Sequence, residues 1–189
     1  TAVKEWGFPY LKLDFLYAGA LEGQRHDMTR TRAQVIREAL EMLREAAGED
    51  TYLLGCGAPL GPSLGLFDAM RIGEDVADTW LPHFNNIKPV FQDEKFIPST
   101  RNAMNNIITR APLHKHWWVN DPDCLLVREE TKLTLSEVQM LATAIAMTGG
   151  ALLLSDDMQM LAEDRIRIAE TMIPVIGKRL RRLIRRLEE

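Results

Sequence analysis

Two charged residues interrupt a short apolar stretch near the start of the sequence, YLKLDF at residues 10–15. Alternate side chains of a β-strand share a face, so Lys12 and Asp14 point the same way as Tyr10, whereas Phe15 belongs to the apolar face expected to pack under helices. A buried carboxylate needs a partner, and Lys12 is the nearest candidate for Asp14. The spacing predicts either a carboxylate available for chemistry at a strand end or an ion pair that only fixes the strand's register.

Two later stretches place further polar residues after predicted strands. MRIGEDVADTW at residues 70–80 contains Arg71 and Asp75, and WWVNDPDCLLV at residues 117–127 contains Trp118 before an Asn-Asp-Pro-Asp run. Acidic residues are favoured in the first turn of a helix, and Asn, Asp and Pro are favoured in turns, so both stretches also have a purely structural explanation. Trp118 is either a core residue or one wall of a sugar pocket, since a flat aromatic face suits a sugar ring.

The elements that must position these residues alternate between strand-like and helix-like patterns. Thr134, followed by Glu137, predicts a capping box at the start of one helix, and Gly149 predicts its end. The apolar run ALLLS at 151–155 predicts a fully buried strand. This alternation predicts about five βα units in a parallel sheet covered by helices, either open or closed as a barrel. The predicted strands are 10–15, 51–57, 68–73, 115–119 and 151–155, and the predicted helices are 28–47, 99–110, 134–148 and a region from about 158 onward.

Composition and charge exclude several classes of function. The chain has 189 residues, which predicts one domain over 1–189, and its net charge of −4 gives no reason to expect nucleic acid or an anionic membrane as a partner. No apolar run approaches the ~20 residues that a membrane helix needs, and two cysteines do not make a disulfide framework. The four histidines show no metal-ligand spacing, so we expect no metal and no cofactor. A cytoplasmic protein is the simplest expectation.

The C-terminal tail, GKRLRRLIRRLEE, combines a helical apolar face with many basic residues. It predicts a basic amphipathic helix at about 178–189. Such a helix can bind nucleic acid or a membrane surface. The favoured interpretation is a last barrel helix, or an association helix, with a solvated basic face.

Taken in order, these stretches resemble the α-galactosidases of glycoside hydrolase clan D, the melibiase families 27 and 36. Residues 11–14 match the L-K-x-D strand of that family, and residues 71–80 match its R-x-x-x-D-[IV]-x-D-x-W segment. Residues 118–125 match W-N-D-P-D-x-L with Val119 inserted, and residues 149–161 take the place of a P-L-x-x-S-x-D strand. Each motif alone is weak evidence, but together, in the family's order, they extend the resemblance over nearly the whole chain.

The resemblance implies a retaining glycoside hydrolase that acts on terminal α-galactosides. In such enzymes two carboxyl groups face each other about 5–5.5 Å apart across the anomeric carbon. Asp14 is then the nucleophile and Asp75 the general acid/base. Lys12 and Arg71 are expected to hold Asp14 ionised, and a drier setting is expected to raise the pKa of Asp75.

The same resemblance points to the residues that contact the sugar. Cys56 lies in LLGCGAP at 53–59, which resembles the family 36 pattern, but Gly57 and Ala58 replace a larger polar and aromatic pair of family 27. This difference keeps an α-N-acetylgalactosaminidase open as an alternative function. The predicted substrate-binding residues are Lys12, Arg71, Cys56 and Trp118.

The fold that the resemblance implies is of the α/β class: a partial (β/α)8 TIM barrel with roughly strands 4 to 8 and their helices. In the family, strands one to three carry further sugar-binding residues and a β-sandwich follows the barrel, so we expect both outside this chain. Free sheet edges invite association. The expected partners are an α-galactoside oligosaccharide and either a second copy, as a homo-oligomer, or the missing N-terminal half-barrel. A non-catalytic half-barrel that self-associates is the alternative to an enzyme.

Overall fold

A computed structural model describes residues 3–83 and 93–175 of the chain. The basic amphipathic helix predicted at about 178–189 lies outside these residues. Within them, no helix has the length and hydrophobicity that crossing a membrane requires. Helices and strands follow one another along the described chain, except that the strands Val119–Asp121 and Cys124–Leu125 have no helix between them. Three pairs of neighbouring strands run parallel, as the α/β prediction requires.

The chain divides into two compact units, of which the first contains Thr1–Arg71 and Trp117–Val119 and the second contains Ile72–His116 and Asn120–Glu189. The elements of the first unit are β1 (Tyr10–Leu13), a 3-10 helix (Leu16–Ala20), α1 (Arg32–Ala47), β2 (Tyr52–Gly55), α2 (Leu60–Ser63), β3 (Ala69–Arg71) and the first residue of β4 (Val119–Asp121). Those of the second unit are α3 (Thr100–Arg110), a 3-10 helix (Ala111–Leu113), the rest of β4, β5 (Cys124–Leu125), α4 (Leu135–Thr148), β6 (Leu153–Leu154) and α5 (Glu163–Glu170).

The first unit is built on parallel strands in the order β1-β2-β3, and Val119 of β4 extends this sheet beside β3. The Val119 N–H donates to the carbonyl of Asp68 at 2.8 Å. Gly55 lets β2 and β3 pack closely, because a Cβ at this position would lie 2.7 Å from Cε of the fully buried Met70. The carboxyl ends of the three strands therefore lie side by side along one edge.

Helix α1 begins at Arg32 rather than at residue 28 because Thr31 caps it. The Thr31 hydroxyl accepts from the N–H of Gln34 at 3.3 Å, and the Gln34 side chain accepts from the N–H of Thr31 at 2.9 Å, which is a capping box. The residues before it turn instead, since the Asp27 carboxylate accepts from the N–H of Thr29 at 2.9 Å.

Arg44 ties α1 to the loop between β2 and β3. Its guanidinium donates to the carbonyls of Leu66 and Thr51, each at 2.8 Å, and pairs with the Asp68 carboxylate at 2.7 Å. Asp68 also accepts from the N–H of Leu53 at 2.8 Å. These contacts fix the helix against the strands that carry the candidate site residues.

The second unit packs α3 and α4 around an apolar core. Ser99 caps α3 by accepting from the N–H of Asn102 at 3.2 Å. Helix α4 confirms its prediction, since Thr134 and Glu137 form the capping box and Gly149 is the C-cap. The buried core residues are Met104, Ile107, Leu125, Val127, Leu133, Val138, Leu141, Ala142, Ile145 and Met172.

Strands β5 and β6 form a parallel pair in the second unit, with Cys124 beside Leu153 and Leu125 beside Leu154. The prediction of a fully buried strand over 151–155 is wrong, because β6 has two residues and Leu153 is 43% exposed. Successive strand residues face opposite ways, so Leu154 packs against the core while Leu153 points outward.

Strand β4 lies further along the chain than the strand predicted at 115–119. Lys115 has a φ of 63°, and the N–H of His116 donates to the carbonyl of Leu113 at 3.1 Å, so the chain turns before the strand begins. The two bulky aromatic residues at 117 and 118 favour a strand by propensity, but the turn leaves them just before the strand.

Helix α5 begins at Glu163, not at residue 158. A turn comes first, in which the Asp157 carboxylate accepts from the N–H of Gln159 at 3.1 Å and the Asp157 carbonyl accepts from the N–H of Met160 at 3.0 Å. Two acidic residues in its first turn then suit the helix dipole.

Candidate active site

The carboxyl ends of three parallel strands bring polar side chains to one edge of the first unit. The last residue of β1 lies beside the last residue of β2, which lies beside the second residue of β3. Asp14, Cys56 and Arg71 come next along these strands, so they form a row across the sheet. The N–H of Cys56 donates to the carbonyl of Leu13 at 2.8 Å, which extends the strand pairing up to this row. Parallel α/β sheets carry their active sites at this edge.

Asp14 is surrounded by groups that favour its ionised form. The Cys56 thiol donates a hydrogen bond to its carboxylate, the N–H of Phe15 donates at 2.7 Å, and the ammonium of Lys12 lies 3.9 Å away. The thiol hydrogen bond is the largest cause of a lowered pKa for Asp14; Phe15, Lys12 and Arg71 add to it, and burial opposes it. Since its side chain remains 44% exposed, Asp14 is an ionised and accessible carboxylate, which a nucleophile requires.

Cys56 acts as a hydrogen-bond donor in this row. It is 5% exposed, and burial, followed by the hydrogen bond to Asp14, raises the pKa of its thiol to about 11, although Arg71 and Lys12 act in the opposite direction. The thiol is therefore protonated at neutral pH. A protonated thiol is a poor nucleophile, and the contact that Cys56 makes here is the hydrogen bond to the carboxylate of Asp14.

A left-handed residue directly after Asp14 ends β1 and turns the chain. Phe15 has a φ of 56° and is 67% exposed, so the prediction that it packs under helices is wrong. The N–H of Tyr17 donates to the carbonyl of Gly57 at 2.6 Å. Gly57 has a φ of 54°, and a Cβ on it would lie 3.3 Å from the Tyr17 ring. The small residue after Cys56 thus makes room for the turn that follows Asp14, a role that the strand pattern conceals.

Trp118 lies in the first unit and is buried. Its ring meets that of Trp117 edge to face, with centroids 5.5 Å apart and planes at 76°. Trp118 is 4% exposed whereas Trp117 is 44% exposed, so the accessible aromatic face of the pair belongs to Trp117. The indole N–H of Trp118 has no hydrogen-bond partner among the residues that the structure describes. Burial leaves Trp118 no open stacking face, so its predicted contact with a sugar stays a prediction.

In the second unit, the backbone around Asp75 is held from both sides. The N–H of Ile72 donates to the carbonyl of Asp121 at 3.0 Å, and the guanidinium of Arg110 donates to the carbonyl of Ile72. On the far side of Asp75, the N–H of Val76 donates to the carboxylate of Asp123 at 2.8 Å. Asp75 itself is exposed. This exposed position differs from the drier setting expected for Asp75, although the backbone on both sides of it is anchored.

Helix α3 supplies a further anchor for this segment. The side-chain amide of Asn106 donates to the carboxylate of Glu74 at 2.8 Å. Gly73 lies so close to the helix that a Cβ on it would be 2.8 Å from Cβ of Asn106. The residues before Asp75 are therefore packed directly on α3, and sequence reasoning missed this contact because the two elements are far apart in the chain.

The Asn-Asp-Pro-Asp run acts mainly through structure. Asp121 accepts from the N–H of Asp123 at 2.9 Å, and Asp123 takes a φ of 76°, which aims its carboxylate at the segment that carries Asp75. The side-chain amide of Asn120 donates to the carbonyl of Arg110 at 3.0 Å. The turn suggested by the sequence is present, and the carboxylates of Asp121 and Asp123 accept hydrogen bonds from backbone N–H groups.

Asp156, in the stretch that resembles the fourth motif, is also structural. Its side chain is fully buried and accepts from the N–H of Val127 at 2.8 Å and from the N–H of Arg128 at 3.3 Å. The Arg128 guanidinium adds an ion pair at 2.9 Å. These contacts tie the end of β5 to the end of β6.

The structure thus brings four predicted site residues together in the first unit, namely Asp14, Lys12, Cys56 and Arg71. Asp75 belongs to the second unit, so the predicted facing of Asp14 and Asp75 stays a prediction. In residues 3–83 and 93–175, no group of three or more His, Cys, Asp or Glu side chains is arranged to hold a metal ion.

No protein-family model matches the chain. Two structures of the α-galactosidase from Thermus thermophilus, one in complex with stachyose and one with p-nitrophenyl α-D-galactopyranoside, match it with TM-scores of 0.75 and 0.73. The sequence identities are 34% and 35%. The matches cover 91% and 89% of this chain but 35% and 33% of those chains, so this chain spans about a third of that enzyme's length.

Two more distant structures share the fold at 17% identity. They are α-galactosidase I from Mortierella vinacea, with a TM-score of 0.67, and an α-galactosidase from Saccharomyces cerevisiae, with a TM-score of 0.62. The first match covers 90% of this chain and 43% of the other, and the second covers 88% and 38%. The resemblance predicted from the sequence is confirmed: over about nine-tenths of its length, the chain is similar in sequence and fold to the Thermus thermophilus α-galactosidase, and it shares the fold of the two others.

Proposed function

We propose that the chain forms the C-terminal half of the catalytic domain of a retaining α-galactosidase, as roughly strands 4 to 8 of a (β/α)8 barrel with their helices. The observation that carries the proposal is the row of Asp14, Cys56 and Arg71 at the carboxyl ends of parallel strands. The 34% identity to an α-galactosidase supports it. In (β/α)8 barrels, active sites lie at this end of the strands.

In the proposed mechanism, the Asp14 carboxylate attacks the anomeric carbon of a terminal α-galactoside from the β face. The glycosidic bond breaks, Asp75 donates its proton to the departing oxygen, and a β-galactosyl ester forms on Asp14. Asp75 then takes a proton from water, which attacks from the α face and releases Asp14. Two inversions give overall retention, and they require the two carboxyl groups to lie about 5–5.5 Å apart.

The cationic and polar residues of the row have separate proposed roles. Lys12 and Arg71 donate hydrogen bonds to sugar hydroxyls and hold Asp14 ionised, in line with the causes of its lowered pKa. Cys56 keeps the carboxylate of Asp14 oriented through its thiol and contacts the sugar. Trp118 is the fourth proposed substrate-binding residue, as the resemblance implies. No step in this mechanism calls for a metal or a cofactor.

The proposed substrate is an α-galactoside oligosaccharide, because the Thermus thermophilus relative has been solved with stachyose. Since the chain spans about a third of that relative, the proposed active protein needs further barrel strands, supplied by a second copy or by an N-terminal half-barrel. Among the residues that the structure describes, β1 is the edge strand of the sheet, where further strands can add. A cytoplasmic location accompanies the proposal, because both cysteines are free thiols.

Azide rescue tests the proposed roles of the two carboxylates. In the active protein that contains this chain, Asp14→Gly leaves a gap on the β face, so azide should attack an activated aryl α-galactoside there and give β-galactosyl azide. Asp75→Gly retains the nucleophile, so azide should intercept the galactosyl ester and give α-galactosyl azide. Asp78→Gly is the matched control and should give galactose. The same anomer from both variants, or azide products from the control, would refute the assignment.

A further inference from the structure

A polar cavity in the second unit is not used by the proposed mechanism. It lies between α3 and the segments that flank Glu74 and Lys95, and its volume is about 370 Å³. That volume falls within the ~300–1,000 Å³ typical of small-molecule sites. We call it the α3 pocket, and its lining residues include Glu74, Lys95, Phe96, Asn105, Asn106 and Arg110.

The charges of the α3 pocket are of both signs, so no single ligand charge is matched by all of its lining. Lys95 and Arg110 would repel a cation, and the carboxylate of Glu74 would repel an anion. Glu74 is held by the amide of Asn106 at 2.8 Å, so its charge remains fixed at the pocket wall. A neutral ligand escapes both penalties, and its affinity then depends on hydrogen bonds and packing.

The hydrogen-bonding groups of the α3 pocket suit hydroxyl groups. The side-chain amide of Asn105 offers a donor and an acceptor, and that of Asn106 offers its oxygen, since its N–H groups donate to Glu74 and to the carbonyl of Asn102. The ammonium of Lys95 offers donors, and the carboxylate of Glu74 offers acceptors. A hydroxyl group both donates and accepts, so neighbouring hydroxyls on one ring can be satisfied by such a mixed set. A ligand with hydrogen-bond acceptors alone could not donate to the carboxylate of Glu74.

Phe96 adds an apolar face to this polar set. Its side chain is 82% exposed, which is unusual for phenylalanine and leaves the ring open to a ligand. The ring of a pyranose carries C–H groups on one face and hydroxyls around its rim. Packing that face on Phe96 would remove apolar surface from water while the rim meets the amides and the carboxylate.

From this combination we propose that the α3 pocket is a second saccharide-binding site, which takes one neutral pyranose unit stacked on Phe96. The inference rests on the proposed function only for its choice of sugar, a galactose-containing oligosaccharide. Helix α3 thereby has two roles: Asn106 anchors the backbone before Asp75 and also lines the pocket.

An NMR titration of the full chain with raffinose tests the site. We expect the side-chain amide signals of Asn105 and Asn106 to shift with one binding curve, at raffinose concentrations up to roughly 50 mM, since a single-sugar site binds in the millimolar range. Phe96→Ala should weaken this binding at least tenfold, whereas Phe96→Tyr should retain it. Phe8→Ala removes another exposed phenylalanine, 53% exposed and in the first unit, and should leave the curve unchanged.

Titrations with sorbitol and with sulfate test whether the α3 pocket prefers a sugar ring over an acyclic polyol or an anion. Sorbitol, a polyol without a ring, should shift these signals far less than raffinose does, because it cannot stack on Phe96. Shifts with sulfate but not with raffinose, or equal binding by wild type and Phe96→Ala, would overturn the proposal. Hydrolysis of p-nitrophenyl α-galactoside is measured separately, on the active protein that contains this chain. Raffinose binding without hydrolysis counts against the proposed function alone, and hydrolysis without these shifts counts against the second site alone.

Discussion

Replacement of Asp123 by alanine should loosen the backbone that carries Asp75. Asp123 is 8% exposed and accepts from the N–H of Val76 at 2.8 Å, so alanine leaves that donor without its acceptor. A hydrogen bond to a charged group contributes about 1.5–3 kcal/mol to stability. Asp123 also has a φ of 76°, and placing alanine in a left-handed conformation costs about 1 kcal/mol more.

Together these effects predict a loss of about 2–4 kcal/mol in the free energy of unfolding for Asp123→Ala. Asp123→Asn is the matched control, because asparagine keeps a side-chain oxygen to accept from Val76 and tolerates a left-handed conformation. The control should lose less than about 1.5 kcal/mol. Urea unfolding followed by circular dichroism measures both variants, since a marginally stable domain moves its midpoint visibly for such changes.

The hydrolysis rates of the same variants test whether the position of Asp75 matters for catalysis. If Asp75 moves by about 1 Å, the rate should fall by roughly a hundredfold for substrates that need a proton on the leaving group. An activated aryl α-galactoside, which needs little help from an acid, should lose much less. An Asp123→Asn variant as unstable as Asp123→Ala would refute this reasoning. So would an Asp123→Ala variant whose activity falls equally on both kinds of substrate.

The remaining predictions concern the row on the first unit and the core of the second. Cys56→Ala removes the largest cause of the lowered pKa of Asp14, so that pKa rises toward 3.8 and the acid limb of the kcat/KM profile moves to higher pH. Cys56→Ser keeps a donor and should leave the limb in place; an unmoved limb in the alanine variant would contradict the contact. Gly150→Ala puts a Cβ into the carbonyl oxygen of Asn120 at a φ of 109°, so urea unfolding should show a loss of about 2–4 kcal/mol. Gly23→Ala, where an added Cβ meets nothing within 4 Å, should change stability by less than ~1 kcal/mol.

The acidic residues of this chain divide into two kinds. Asp156 and Asp123 are buried and accept from backbone N–H groups, so their carboxylates are committed to the fold. Asp14 and Asp75 are exposed at positions that follow parallel strands. Exposure and the identity of the donors therefore separate carboxylates available for chemistry from carboxylates that hold loops, although all four lie in stretches that resemble family motifs.

Local signals made part of the fold predictable. The Thr134–Glu137 capping box is encoded within four residues and appears as predicted. The alternation from Tyr10 to Leu13 also matches the burial pattern of β1. It fails at Phe15, because the turn there depends on Gly57, which lies just after the next strand and is distant in sequence.

The candidate site shows the same division. Sequence reasoning paired Lys12 with Asp14, and the structure places the two groups 3.9 Å apart. It treated Cys56 as a sugar contact and missed its hydrogen bond to Asp14, since parallel register decides which strand ends meet. The anchors of the Asp75 segment were also hidden, because the contacts come from α3 and from the Asn-Asp-Pro-Asp turn, through side chains whose direction no local pattern specifies.

The most direct test of the central claim is to trap the galactosyl ester. The active protein that contains this chain is incubated with 5-fluoro-α-D-galactosyl fluoride and digested with trypsin, and the peptide from Leu13 to Arg25 is sequenced by mass spectrometry. We predict a fluorogalactosyl group on the carboxylate of Asp14, absent in Asp14→Asn. Attachment to Glu22 in the same peptide, or release of fluoride without any adduct, would contradict the account.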